Sequence, residues 1–459
     1  MQAHPEDAAD ERDPNDPLDA LAVRALRACI RIPTVSDWDP DREDRAAFEA
    51  LLRELRSHFP LLHETCEVER IAGDALLIRW PGRDPEASLP PIVLMAHLDV
   101  VPVGDESLWS HPPFDAAVAN GHIWGRGALD CKGSLVAICA AVEALIGEGF
   151  APGREVWLSF GCNEEVSGGA AKEAVELLRQ RGVDPWFVID EGGAIVRGAL
   201  PGVAEPMAVI GVSEKGTVDV ELIAHGAGGH ASAPLPMGAT SRLARAILRL
   251  EKHPFPARLP DPTVEMIERL GVHARMPLGW VFRHARPLRP LLNRVFTRLG
   301  HETAAMARTT VAVTQLEGSP GANVLAATAR AHVNLRVMIG ETVDGSIEAL
   351  RKIIKDPKVE VRLVSGDEPS PVSPTDDSAY ALLATVLEDI FPGTIPVPYV
   401  MMAATDSRHF HRFWPRVYRF TPFRMTDEQR AAIHGVDERI GVTDLLDGVR
   451  WYRRLIESL

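Results

Sequence analysis

The sequence predicts an α/β fold: a mostly parallel sheet covered by helices, with a smaller α+β unit inserted into it. Three observations carry this. From Leu18 to Gly193, continuous apolar runs alternate with amphipathic stretches, the order of a helix-covered parallel sheet. Beyond Gly211 the strands change to apolar–polar alternation, the mark of a sheet with one wet face. After SPVSPTDD (370–377) the first style returns and runs to Leu459. The expected partition is a leader over 1–17, a principal domain over 18–211 and 367–459, and an insert over 212–366.

Each element has its own reason. Residues 1–17 are acidic and Pro-containing, too polar to build a core, and read as a disordered leader. LDALAVRALRACIRI, from Leu18, has helical apolar spacing and stops ahead of Pro33. A second helix is expected over 45–58. PIVLMAHLDVV (91–101) is a buried strand, and SLVAICAAVEALIGEG (134–149) a helix closed by Gly147 and Gly149. EVWLSFGCNEE (155–165) and WFVIDEGG (186–193) are strands that run into acids, separated by the helix AAKEAVELLRQRG (170–182). In the insert, TVDVELIAHG (217–226) and ARAHVNLRVMI (329–339) alternate as half-exposed strands, followed by a helix over 345–355 and a strand over 359–364. LRPLLNRVFTRLG (288–300) carries an apolar stripe at Leu288, Leu291, Leu292, Val295, Phe296 and Leu299, with Arg289, Arg294 and Arg298 off it. A helix packed on its own domain explains such a stripe; contact with a membrane or a lipid-like substrate is the sharper alternative.

Composition removes several function classes. The 459 residues carry a formal charge of −15, which disfavours a nucleic-acid partner. No apolar run reaches the roughly 18 residues of a membrane span, and membrane contact is not expected. The five cysteines are scattered, so a disulfide framework is not expected either. With no basic start followed by an apolar stretch, the chain reads as cytoplasmic.

The chemistry sits where the expected strands end. His97 and Asp99 follow IVLMA, Asp130 lies in GRGALDCKG before a helix, Glu164 and Glu165 close one strand, Asp190 and Glu191 another, and His434 lies far downstream. Sites in open α/β sheets assemble at these strand ends. Gathered carboxylates repel one another, so a cation belongs among them. Two histidines, several carboxylates and no clustered cysteine suit Zn²⁺, Mn²⁺ or Co²⁺. In His-x-Asp on a strand both side chains share a face, so His97 can bind metal while Asp99 fixes its other ring nitrogen. The adjacent Glu164 and Glu165 can divide the work, one binding metal and one serving as base.

MAHLDVVPV (95–103), WSHPPFDAAVANGHIWGRGALDCKG (109–133), NEEVSGG (163–169), VIDEGG (188–193), GAGGHASAP (226–234), NVLAATARAHVNLRV (323–337), ATDSRHF (404–410) and HGVDERI (434–440) occur in one order. Together they resemble the zinc-dependent aminoacylase and carboxypeptidase metallopeptidase family, which includes succinyl-diaminopimelate desuccinylase, acetylornithine deacetylase and glutamate carboxypeptidase. The resemblance is strongest to its carboxypeptidase S and N-acyl-amino-acid amidase branch. It implies two divalent metal ions, Zn²⁺ or else Co²⁺ or Mn²⁺. His97 and Asp190 would hold one and Glu165 and His434 the other, with Asp130 bridging and Glu191 the alternative to Asp190. Asp99 would orient His97, and Glu164 would be the general base. His230 would stabilise the oxyanion, while Asn323 and Arg336 would bind the substrate, the guanidinium gripping its carboxylate.

The implied reaction is hydrolysis of an N-acyl amino acid or dipeptide, as an aminoacylase, carboxypeptidase or dipeptidase. A biosynthetic deacylase, such as one for succinyl-diaminopimelate or acetylornithine, is the alternative. A catalytically inactive binding relative is the remote one, disfavoured by the full ligand set. The insert would be a lid or dimerisation domain, in a monomer or a homodimer. Three departures from the family pattern bear on substrate preference: Cys131 after the bridging Asp130, Ala403–Ala404 where glycine is common, and Asp437 in place of Asn.

Overall fold

The computed structural model describes residues 16–84, 89–198 and 200–459. Of the expected leader, 1–15 lie outside the described residues. The chain divides into two compact units. The first holds residues up to Val196, Asp377–Thr394 and Phe420–Leu459; the second holds Arg197–Asp376 and Ile395–Arg419.

In the first unit the strands lie in the order Glu67–Ile71, Ala75–Trp80, Val156–Gly161, Ile92–His97, Phe187–Val196. The first three pair antiparallel. Ile92–His97 runs parallel to both its neighbours, so its end and theirs open on the same edge. All six of its residues are buried, which is why its sequence shows no alternation. The expected strand over 91–101 is thus shorter, with His97 as its last residue.

Helices cover this sheet. Pro17–Ile30 starts with Pro at its first position and Asp16 as N-cap, accepting from the Leu18 N–H at 2.9 Å. Lys132–Gly147 is apolar all round and buried along nearly its whole length, as a helix sandwiched by others must be. It packs against Ile92–His97, Pro17–Ile30 and Val442–Glu457. Its first residue, Lys132, is fully buried. The Lys132 ammonium donates to the carbonyls of Cys29 and Ile32 at 3.0 and 2.7 Å, at the negative end of Pro17–Ile30. Burial pulls its pKa down to about 8.

The second unit contains a four-stranded antiparallel sheet in the order Thr310–Glu317, Thr328–Val337, Gly216–His225, Val359–Asp367. Thr328–Val337 alternates strictly between half-buried and buried residues. Its buried set (Ala329, Ala331, Val333, Leu335 and Val337) shares one core with helices Ala239–Lys252 and Val343–Ile354. The same unit has Met207–Glu214 running parallel to Ile395–Met401, and the helices Asp261–Leu270, Leu278–Arg283 and Ala285–Leu299.

Candidate metal centre

The first unit brings together at one strand edge the acids and histidines that the sequence scatters over more than 300 residues. His97 ends its strand, and the parallel Val156–Gly161 ends beside it and leads into Glu164 and Glu165. Asp130 lies just before helix Lys132–Gly147, where the positive helix end favours an anion. Glu191 sits two residues past the paired stretch Phe187–Ile189. His434 follows helix Asp427–Ala432 with φ +60°.

Asp130 occupies the centre. One of its oxygens lies 2.9 Å from His97 Nε2, and the other 3.0 Å from His434 Nε2. The same His434 nitrogen is 3.0 Å from Glu165, and the same His97 nitrogen is 3.3 Å from Glu191. One ligand atom each from His97, Asp130 and Glu165 lies within 4.8 Å of the others, as do those of His97, Cys131 and Glu191.

Asp99 does more than orient a ring. His97 Nδ1 is 3.0 Å from the Asp99 carbonyl and 3.4 Å from its carboxylate. That carboxylate, fully buried, also accepts from the backbone N–H groups of Glu164 and Glu165 at 3.2 and 3.1 Å and from the Ser36 hydroxyl at 2.7 Å. One side chain therefore fixes the histidine and the turn carrying both glutamates.

The two adjacent acids of VIDEGG separate here. The Glu191 carboxylate lies 3.3 Å from His97 Nε2, and the Asp190 carboxylate accepts from the Glu191 backbone N–H at 2.9 Å.

Charge balance in this cluster is extreme. Hydrogen bonds with Asp130 and Glu165 push His434 up to about 10. Burial opposes a charge on His97, yet Glu191, Asp130 and Asp99 raise it well above the ordinary range. Burial, then repulsion from Asp130, pushes Glu191 up to about 8. Burial followed by Glu191 holds the Cys131 thiol well above its usual range, the state of an inert thiol. Carboxylates crowded in this way are the environment that a divalent cation would balance. One observation tests the fit directly: Glu165 Oε1 is buried and has no hydrogen-bond partner among the described residues. A carboxylate oxygen left so is costly unless a cation takes it. Carboxylates and imidazoles suit a borderline divalent ion, so the residues present fit a metal.

Glu438, a residue not singled out in the sequence, organises the loop beneath. Fully buried, it accepts from Arg126 Nη1 at 2.7 Å and from the backbone N–H groups of Gly127, Leu129 and Asp130 at 3.0, 2.8 and 3.1 Å. Its four-residue spacing from the candidate ligand His434 is the available signal.

The remaining candidates lie in the second unit. His230 sits on the two-residue strand Gly229–His230, paired with Val324–Leu325. It is exposed, with Nδ1 2.7 Å from the Ser232 hydroxyl. Asn323 is brought beside it, its carbonyl accepting from the Ala231 N–H at 3.0 Å. Arg336 is not: it lies at the opposite end of Thr328–Val337 and donates to the Thr217 hydroxyl at 2.9 Å.

A family model described as peptidase family M20/M25/M40 matches residues 93–458. The N-fatty-acyl-amino acid synthase/hydrolase of Homo sapiens is 34% identical over 439 residues, covering 94% of this chain and 86% of that protein. The probable carboxypeptidase S-like 2 of Dictyostelium discoideum is 33% identical, covering 88% of this chain and 78% of that one. Among solved structures, an M20 family metallo-carboxypeptidase from Sulfolobus solfataricus superposes with a TM-score of 0.70 at 17% identity, over 95% of this chain and 98% of its own. Human carnosine dipeptidase 1 gives 0.67 at 16%, over 96% of each chain. These structural likenesses speak to the fold.

Proposed function

The chain belongs to peptidase family M20/M25/M40 and is an enzyme of metallopeptidase or amidohydrolase type, and on that premise we propose that it hydrolyses the amide bond of N-acyl amino acids or dipeptides. The observation that carries this reading is Asp130, which offers one oxygen to each of two histidines beside the orphaned oxygen of Glu165. His97, Asp130 and either Asp190 or Glu191 would hold one divalent ion, and Asp130, Glu165 and His434 the other, with zinc the first metal to try. Bound there, two such ions supply a water acidified toward neutral pH.

The chain's own groups do the rest. Glu164, on the turn that Asp99 holds, takes the proton of the attacking water and returns it to the leaving amine. Arg336 and Asn323 hold the amino-acid part of the substrate, and His230 donates to the developing oxyanion. The test is metal-free protein given Zn²⁺, Mn²⁺ or Co²⁺ and a panel of N-acetyl and N-long-chain amino acids, dipeptides and succinyl-diaminopimelate. Metal-dependent release of an amino acid is the expected result; no metal uptake would sink the reading.

The placement of these three residues bears on assembly. Arg336 is eight residues along a fully paired strand from Thr328, about 26 Å at the usual rise, and Asn323 lies beyond that end. One small substrate cannot touch both ends of that strand. If all three residues serve it, His230 and Asn323 come from one chain and Arg336 from another, so the working form is a homodimer. Mixing His230→Ala with Arg336→Ala, each inactive alone, is then expected to restore about a quarter of the parent turnover through mixed dimers with one intact site. No recovery after verified subunit exchange would exclude the arrangement.

A further inference from the structure

Segment 271–300 of the second unit stands apart from the rest of the chain. It contains six arginines and no acidic residue, in a protein whose formal charge is −15. It also concentrates exposed apolar surface: Val272, Met276, Leu278, Trp280, Leu291, Val295 and Leu299 are all exposed. The stripe read from the sequence is split in two. Ala285, Leu292 and Phe296 of helix Ala285–Leu299 are buried and anchor it to its own unit. Leu291 and Leu299, at 53% and 63% exposure, are not.

At 100° per residue, Leu291, Val295 and Leu299 form a continuous arc next to the buried one, and Arg294 and Arg298 border that arc on its other side. Both arginines are exposed and make no ion pair among the described residues; the same holds for Arg275. Arg289 and Arg286, on the opposite flank, are instead engaged with Asp261 and Glu268. Trp280, half exposed, adds an amphipathic ring to the segment, the side chain that favours the water–lipid boundary. No described helix is long and apolar enough to cross a membrane, so any contact of this kind would lie along the surface.

We propose that this segment is a docking surface for an anionic lipid bilayer. The apolar arc would enter the headgroup region, and Arg275, Arg294 and Arg298 would meet lipid phosphates. Charge complementarity selects this occupant. A second copy of the chain would set this cationic arc against an identical one, unless it met an acidic patch elsewhere, whereas an anionic surface satisfies both halves of the arc together.

The experiment is co-sedimentation of the full chain with vesicles of phosphatidylcholine alone and with phosphatidylglycerol added. Binding is expected only with the anionic lipid and should weaken as salt is raised. Leu291→Glu/Leu299→Glu and Arg294→Glu/Arg298→Glu should each weaken it by roughly tenfold or more, the scale of two lost surface contacts. Unchanged thermal unfolding and unchanged turnover of a short-acyl substrate would show that both variants fold. Absence of vesicle binding by the parent overturns the proposal. So does equal binding to both vesicle types, or by both variants and parent. A concentration-dependent oligomer abolished by Leu291→Glu/Leu299→Glu, without vesicle binding, would instead assign the arc to a second copy.

Discussion

Glu164→Gln is expected to lower kcat by on the order of 10²–10⁴-fold, the range for loss of a general base, while two metal ions per chain remain bound. The amide keeps the size of the side chain and leaves the backbone N–H groups of Glu164 and Glu165 on Asp99, at 3.2 and 3.1 Å, so the turn has no reason to move. Metal content by elemental analysis, together with single-turnover kinetics, separates the outcomes. A large loss of turnover with full metal assigns Glu164 as the base. Loss of metal in this variant would mean that Glu164 and Glu165 have exchanged roles.

Asp130→Asn should act the other way, on metal first and turnover second. The side chain stands between His97 and His434 at 2.9 and 3.0 Å, and no other described carboxylate is within ion-pair distance of both rings. An amide keeps the shape but loses the charge and one acceptor oxygen. Metal affinity is expected to fall by more than the roughly 10–100-fold typical of groups one step removed from a ligand, with hydrolysis lost in parallel. The loop itself should persist, because Glu438 grips it through backbone N–H groups, including that of Asp130. Competition against a chelator measures the affinity, and thermal unfolding of the metal-free proteins checks the loop. Retention of two ions and near-parent turnover would remove Asp130 from the centre of the mechanism.

Much of this centre was legible in the sequence because parallel strands advertise their ends. A buried run such as IVLMA that stops at His97 marks where polar side chains leave the core, and the same holds for Glu164 and Glu165. The choice between Asp190 and Glu191 was not legible. Both follow the same apolar run, and the pattern of a strand end does not say which of two consecutive acids turns toward His97. Glu438 is hidden in the sequence for a different reason. A glutamate near a candidate ligand looks like an ordinary surface acid, and its role becomes visible only when a loop from the other end of the sequence closes over it. The helix stripe is amphipathic, but periodicity cannot say how wide a neighbour is. The packing partners cover Leu292 and Phe296 and leave Leu291 and Leu299 outside.

The span between Asp130 and Glu438, 308 residues for the bond that joins them, sets when this protein can first work. A chain emerging from the ribosome presents His97, Asp130, Glu165 and Glu191 long before His434 and Glu438 exist. Contacts so distant in sequence form late and slowly. Until then the Asp130 loop lacks the carboxylate that gathers its N–H groups, and one of the five proposed ligands, His434, is missing. Under the proposed assignment the complete two-metal site can form only after His434 is made, so full metal loading would report that synthesis has passed that residue.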